Sequence, residues 1–529
     1  MTTEESEVAE STFSAKIDAS KWLKKKVDNL RWRAHFWLPN LINSHNENER
    51  GYYEERDRKE NIETRVPDGE ALRVFAVWAV EVFGPSEIDA LYENFQRLGW
   101  DGPRLGSDSS GSVHWIKEQR MYGSSGNYNI GLVTRRTDKR FHGVNHFASL
   151  PNEVEHLFVY VYQLSTSLTC VRVGFVLSDE AANWYQQELA TDRKTTRISI
   201  RKKRTIAIYG VGHIKTSAVK KIQARYRAIA TDWFKKEIPG FFSSAKDGIR
   251  LPTAELLTTE VNMFFSESES NVGRRYFDWR KIVLNVSPLD VWRNVACEGL
   301  QLAMDESIDD ARYHTVIALR TLDVSDEQLQ CWGGRTKNSI VNFCENEVGG
   351  VLVYYAGLAF LRDGDRTVKL TRERLRVQRG DKDVLEVLRN IKTYFTDSIG
   401  QPAIASELLK GTQYVGSYRH WCENFTMDRG PKGGGKYSLP DVLCERTKHL
   451  AAKFLEEETA SREQFEQLSS ILNTQESIKA QKRMELLTMV VLFVSFASLF
   501  AALAALTPPD KWLGKVQSIY QFFLTCLLD

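Results

Sequence analysis

Residues 486–506 read LLTMVVLFVSFASLFAALAAL, a stretch without one charged side chain. As a helix it would extend about 31 Å, the thickness of a bilayer's hydrocarbon layer. Twelve of its residues are Leu, Val or Phe. At roughly −0.3 to −0.6 kcal/mol each on the insertion scale, they outweigh Thr488, Ser495 and Ser498. A soluble core helix rarely stays apolar on every face, as this stretch does. The expectation is an integral membrane protein whose bulk precedes the anchor.

Lys479, Lys482 and Arg483 lie just ahead of the run, whereas TPPDK behind it carries one charge of each sign. Lys and Arg mark the cytoplasmic flank of a span, so the body is expected in the cytosol, at the cell's inner (plasma) membrane. Beyond Pro508-Pro509, apolar residues recur at helical spacing from Trp512 to Leu527. That segment can form a second short span, or an amphipathic helix in the far interface. The first is the expectation and makes 486–528 a transmembrane hairpin. Ser495, Ser498, Ala501, Ala502 and Ala505 form a small-residue stripe that lets spans approach closely, which predicts a homo-oligomer.

A chain of 529 residues exceeds what one hydrophobic core organises, so two or three folding units are expected. The seven cysteines are scattered and never form C-x-x-C. That argues against a disulfide framework or zinc knuckle and fits a reducing compartment. The acidic, polar N-terminus MTTEESEVAESTFSAK lacks the apolar segment of a secretory signal.

The fold class read from the pattern is α+β. Residues 1–68 form a disordered start, a basic Trp-rich helical segment and a charged linker. Residues 69–210 form a mixed α/β domain, with strands at 72–83, 156–164, 167–177 and 198–209 and helices at 85–98 and 180–189. Residues 211–428 are mainly helical, at 216–238, 251–265, 338–361, 382–398 and 404–420, with a short strand at 281–286. The uncharged stretch 348–361 is too short to span and reads as a core helix. A Gly-rich hinge at 429–440 leads into a stalk helix at 441–485, whose imperfect heptads suggest coiled-coil-like packing.

The junction 464–500, QFEQLSSILNTQESIKAQKRMELLTMVVLFVSFASLF, carries Gln481, Arg483, Met484, Leu487 and Thr488 at the membrane entry. In those residues it resembles the stalk and first span of the CorA-type divalent-cation channel family. The resemblance implies an oligomer with the first spans around a central axis, a mixed α/β cytosolic domain and cation transport. The family's Gly-Met-Asn signature is absent, and TPPD stands in its place.

Between Arg193 and Thr231 there are twelve Lys or Arg residues and no acid. Arg201, Lys202, Lys203, Arg204, Lys220 and Lys221 are the candidates for an anionic lipid or a phosphorylated ligand, with nucleic acid a lesser expectation. Asp305, Glu306, Asp309 and Asp310 pair at i, i+4 and can offer oxygens to a divalent cation. GPKGGGKY from Gly430 nearly spells a phosphate-binding loop, but Tyr437 replaces the hydroxyl residue and Pro440 follows, so it reads as a hinge. Gly210 and Gly212 make half of a dinucleotide fingerprint. His142 and His146 have zinc-ligand spacing in a loop-like context. No catalytic constellation emerges and no cofactor is identified. The expected function is a non-enzymatic sensor or interaction module coupled to an oligomeric, CorA-like hairpin. The alternatives are a tail-anchored scaffold without a pore and a tethered enzyme.

Overall fold

The computed structural model describes residues 47–102, 111–123, 126–138, 146–200, 205–245, 251–265, 278–284, 291–304, 313–378, 384–398, 400–429 and 435–506, with isolated helical positions in 22–34 and 514–521. The chain divides into two compact units, one of residues 1–366 with 400–455, the other of 367–399 with 456–529.

The first unit is mixed α/β and is built on an 11-stranded sheet. Its strands are β1 (Arg73–Phe83), β2 (Gly126–Thr134), β3 (His146–Phe147), β4 (Val154–Ser165), β5 (Leu168–Leu177), β8 (Thr253–Thr259), β9 (Val291–Asn294), β10 (Leu300–Met304), β11 (His314–Arg320), β12 (Phe425–Arg429) and β13 (Gly435–Ser438). The spatial order is β13-β12-β9-β10-β11-β8-β1-β5-β4-β2-β3. All neighbours are antiparallel except β8 with β11 and β2 with β3. The pair β6 (Thr196–Ile200) and β7 (Thr205–Tyr209) makes a separate two-stranded sheet.

Strand β1, RVFAVWAVEVF, is buried from its second residue to its last. Such near-continuous apolar sequence belongs to a strand covered on both faces. Side chains alternate between faces along a strand, so Trp78 and Val80 point one way and Val77, Ala79 and Glu81 the other. On the Trp78 side lies the helix Lys337–Gln378, reached through Glu345. On the Glu81 side lie the helices Val211–Glu237 and Phe241–Ser244. The sheet is thus the middle of three layers.

Several expected elements change character. Residues 251–265, read as a helix, contain β8, whose register with β1 pairs Trp78 with Ala254 and Val77 with Glu255. The boundary expected near 210 therefore falls inside one sheet. Residues 281–286, read as a strand, overlap the helix Trp279–Leu284. The charged linker contains the helix Glu47–Glu63, held by Asn61 to the backbone of Arg193 and by Asp57 to the amide of Thr195. Within the expected hinge, Gly435–Ser438 is a sheet-edge strand paired with β12; 430–434 lie outside the described residues. The last helix runs from Leu439 to Leu506, so the segments at 441–485 and 486–506 are one uninterrupted element. The core-helix reading of 348–361 holds, with every residue buried.

In the second unit the helix Val384–Ser398 packs on the far part of Leu439–Leu506. Phe465 is buried there, 5.5 Å from the ring of Tyr394 and 6.0 Å from that of Phe395. Arg462 lies over Phe395 and pairs with Glu458 at 2.6 Å.

Candidate functional site

Among the described residues one helical stretch, Ser477–Ala502, is long and apolar enough to cross a membrane, and its apolar window is unburied. Phe493 is 80% exposed and Met489 72%. Ser495, Ser498, Ala501, Ala502 and Ala505 are all exposed along this helix, and Ser495 returns its hydroxyl to the Val491 carbonyl at 2.8 Å. The structure leaves the second half of the expected hairpin outside the described residues apart from isolated positions.

The basic run separates on folding. Arg201, Lys202, Lys203 and Arg204 lie outside the described residues. Lys220 and Lys221 are exposed on the helix Val211–Glu237, whereas Lys215 of the same helix is fully buried and donates to the Leu189 carbonyl at 2.6 Å. Burial lowers the Lys215 ammonium to about 8. The half fingerprint is filled from within: the Glu60 carboxylate lies at the helix start and accepts from the Gly212 amide at 3.4 Å, and a Cβ at Gly210 would stand 3.2 Å from it. Asp305, Glu306, Asp309 and Asp310 lie outside the described residues, as does His142. Among the described residues no group of three or more His, Cys, Asp or Glu is arranged to hold a metal ion.

Three buried polar clusters flank β1 and its neighbours. On the Trp78 face, Glu345 accepts from the Trp78 indole and from the Arg172 guanidinium. The guanidinium also lies over Tyr160 and Tyr162, 4.8 and 4.9 Å from their centroids. A Cβ at Gly349 would overlap that guanidinium, and one at Gly174 would come within 2.8 Å of the indole. Two glycines thus make room for a salt bridge that closes over a separation of 173 residues. Burial works against the Arg172 charge, but Glu345 and the two tyrosines carry its pKa above the ordinary value. Burial pushes the Glu345 carboxyl up, opposed by Arg172 and the indole.

On the other face Glu81 accepts from the amides of Phe242 and Ser243, each at 2.8 Å, at the start of Phe241–Ser244. Burial outweighs those donors and raises its carboxyl to about 7. Nearby, Tyr185 donates to Glu255 at 2.8 Å, His314 lies 3.6 Å from the other Glu255 oxygen, and Thr253 meets His314 Nδ1 at 2.9 Å. The hydroxyl, imidazole and carboxylate have the order of a nucleophilic relay. All of them are buried, so the arrangement serves the sheet's interior and offers a substrate no approach.

An open cavity of about 310 Å³ lies on the Trp78 side, at the β4–β5 turn. Its lining combines Tyr162, Gln163, Leu164, Ser165 and Thr166 from the hairpin, Gly350, Val353 and Tyr354 from Lys337–Gln378, and Glu407, Lys410, Tyr414 and Tyr418 further along. Tyr354 and Tyr418 stack with centroids 4.2 Å apart. Glu407 is spent on the turn, accepting from the Ser167 amide at 2.8 Å and its hydroxyl at 2.7 Å. The Ser165 hydroxyl is buried without a hydrogen-bond partner among the described residues. None of this was legible in the sequence, since the lining comes from four separated stretches, the fourth being Gly123 and Gly126, that carry no common motif. No protein-family model matches the chain, and no curated protein matches it.

Proposed function

We propose that the protein is a membrane-anchored sensor or interaction module: the sheet unit is the receiving body and the apolar part of the Leu439–Leu506 helix the anchor. The exposed apolar stretch carries this reading. It turns a full circumference of Leu, Val, Phe and Met side chains outward, and a surface of that kind is stable only under lipid or a protein partner. Lys479, Lys482 and Arg483 at its near end support an orientation with the body in the cytosol. Flotation tests the reading. Full-length protein made with phospholipid vesicles should rise with them and resist carbonate extraction; recovery as a detergent-free soluble species overturns it.

The exposed small residues favour an oligomeric version of the same reading. In it, the first spans surround a central axis, as the CorA resemblance implies, and Ser495, Ser498, Ala501, Ala502 and Ala505 of neighbouring copies face one another. The mass of the detergent-solubilised particle, followed by divalent-cation flux in proteoliposomes, tests that version. A monomer in detergent removes it.

A further inference from the structure

We propose that the cavity at the β4–β5 turn binds a small aromatic carboxylate. The inference deepens the sensor reading and rests on it for its biological role, though not for its chemistry. Three features choose the ligand class. First, the wall is aromatic: Tyr354 and Tyr418 stack, and both are almost wholly buried. Burial pushes the Tyr418 phenol up to about 12, so it stays neutral. A flat apolar body fits such a wall, and about 310 Å³ is near the small end of ligand pockets, roughly 300–1,000 Å³.

Second, charge at the cavity is unequally spent. Both Glu407 oxygens are engaged by Ser167, whereas Lys410 is exposed and pairs with no carboxylate among the described residues. The group left with unused capacity is a cation at the rim, which calls for an anion. Third, the buried Ser165 hydroxyl has no partner. An unsatisfied buried polar atom costs free energy that a ligand oxygen would recover. Gln163 cannot serve instead, because its amide is committed to the Thr166 carbonyl and to the Thr169 hydroxyl, at 3.3 and 2.9 Å.

The test uses the full chain in nanodiscs, with empty nanodiscs as the blank, and two probes: 1-naphthoate and its uncharged counterpart 1-naphthalenemethanol. Saturation-transfer NMR and calorimetry should detect saturable naphthoate binding at one site per chain. Lys410→Met should weaken naphthoate by roughly tenfold or more, the size of a charge-assisted contact, and leave the alcohol unchanged. Ser165→Ala should weaken naphthoate several-fold. Both substitutions leave the packing intact, so folding is not at stake. Absence of saturable naphthoate binding, or equal naphthoate affinity in wild type and Lys410→Met, overturns the proposal. Flotation of the same preparation separates the two readings: a chain that enters vesicles but takes up no naphthoate sinks the site alone, and one that binds naphthoate without entering vesicles sinks the anchor alone.

Discussion

The sheet unit and the far part of the Leu439–Leu506 helix invert each other. The first hides charge: Arg172, Glu345, Glu81 and Glu255 are all at most 2% exposed. The second displays grease, with Leu487, Met489 and Phe493 each more than 60% exposed. Neither is tolerable in water without a partner. The sheet unit supplies its partners internally, through the Arg172–Glu345 pair, the Trp78 indole and the amides of Phe242 and Ser243. The apolar window of the helix is left unburied among the described residues, and the proposed bilayer fills that place. The same helix shows both regimes, since its near part buries Leu443, Ala451 and Phe454 at spacings of one helical face.

Charging the anchor tests the inversion most severely. Val494→Arg with Phe496→Arg places two guanidinium groups near the middle of the apolar run, each costing about 3–4 kcal/mol relative to the residue replaced. Together they cancel the roughly −4 to −7 kcal/mol that the aliphatic and Phe side chains supply. The double variant should leave the vesicle fraction in flotation. If it floats as wild type does, the helix is covered by protein, and the contrast with the sheet unit is one of degree.

Unpairing the buried charge is the complementary experiment. Arg172→Met leaves Glu345 alone in the interior and should cost about 3–5 kcal/mol, read as a lowered thermal unfolding midpoint. Arg172→Met combined with Glu345→Leu should recover much of the loss, because the uncompensated charge is gone. Gly349→Ala should fall on the side of the single variant, since its methyl would occupy the guanidinium's place. A single variant as stable as wild type would mean that the pair carries no structural role.

Glu81 gives a smaller, pH-dependent effect. Its folded-state pKa of about 7 lies above the ordinary carboxyl value of 4.5, so the folded chain keeps a proton that the unfolded chain has lost. Stability is therefore greatest below 4.5 and declines as pH rises towards 7, by about 3 kcal/mol at most. Asp363, raised to about 6 by burial, adds a slope of the same sign. Glu81→Gln should flatten the unfolding midpoint between pH 5 and 7.5, and adding Asp363→Asn should flatten it further. An unchanged slope in the double variant would assign the dependence to other groups.

What the sequence made legible follows from the range of the interactions involved. Strand β1, the β4–β5 hairpin, the helix Val211–Glu237 and the 338–361 part of Lys337–Gln378 announce themselves because β-branched runs and helical periodicity are local signals. TAELLTT in β8 carries helix formers, and only its place between β1 and β11 makes it a strand, a case of tertiary pairing overriding propensity. KYS reads as part of a hinge because its partner β12 lies beyond the Gly-rich stretch 430–434 in the sequence. The Arg172–Glu345 pair and the cavity were invisible for the same reason: they exist only once β4, β5 and Lys337–Gln378 meet. The apolar run could be read directly, because a helix uniform on all faces needs no partner in the sequence to declare itself.

The basic run supplies the finest comparison, because the sequence treats its lysines alike and the fold does not. Lys215 is fully buried with its ammonium on the Leu189 carbonyl, while Lys220 and Lys221 are exposed about one and a half turns further along the helix. Lys215→Ala removes the donor from a buried acceptor and should cost about 1–3 kcal/mol. Lys220→Ala with Lys221→Ala removes no contact between described residues and should move stability by less than about 0.5 kcal/mol. Thermal unfolding of the two variants side by side measures the gap. Were the exposed pair to cost as much as Lys215, those lysines would hold a partner within the chain, and they would no longer be available to an anionic lipid or ligand.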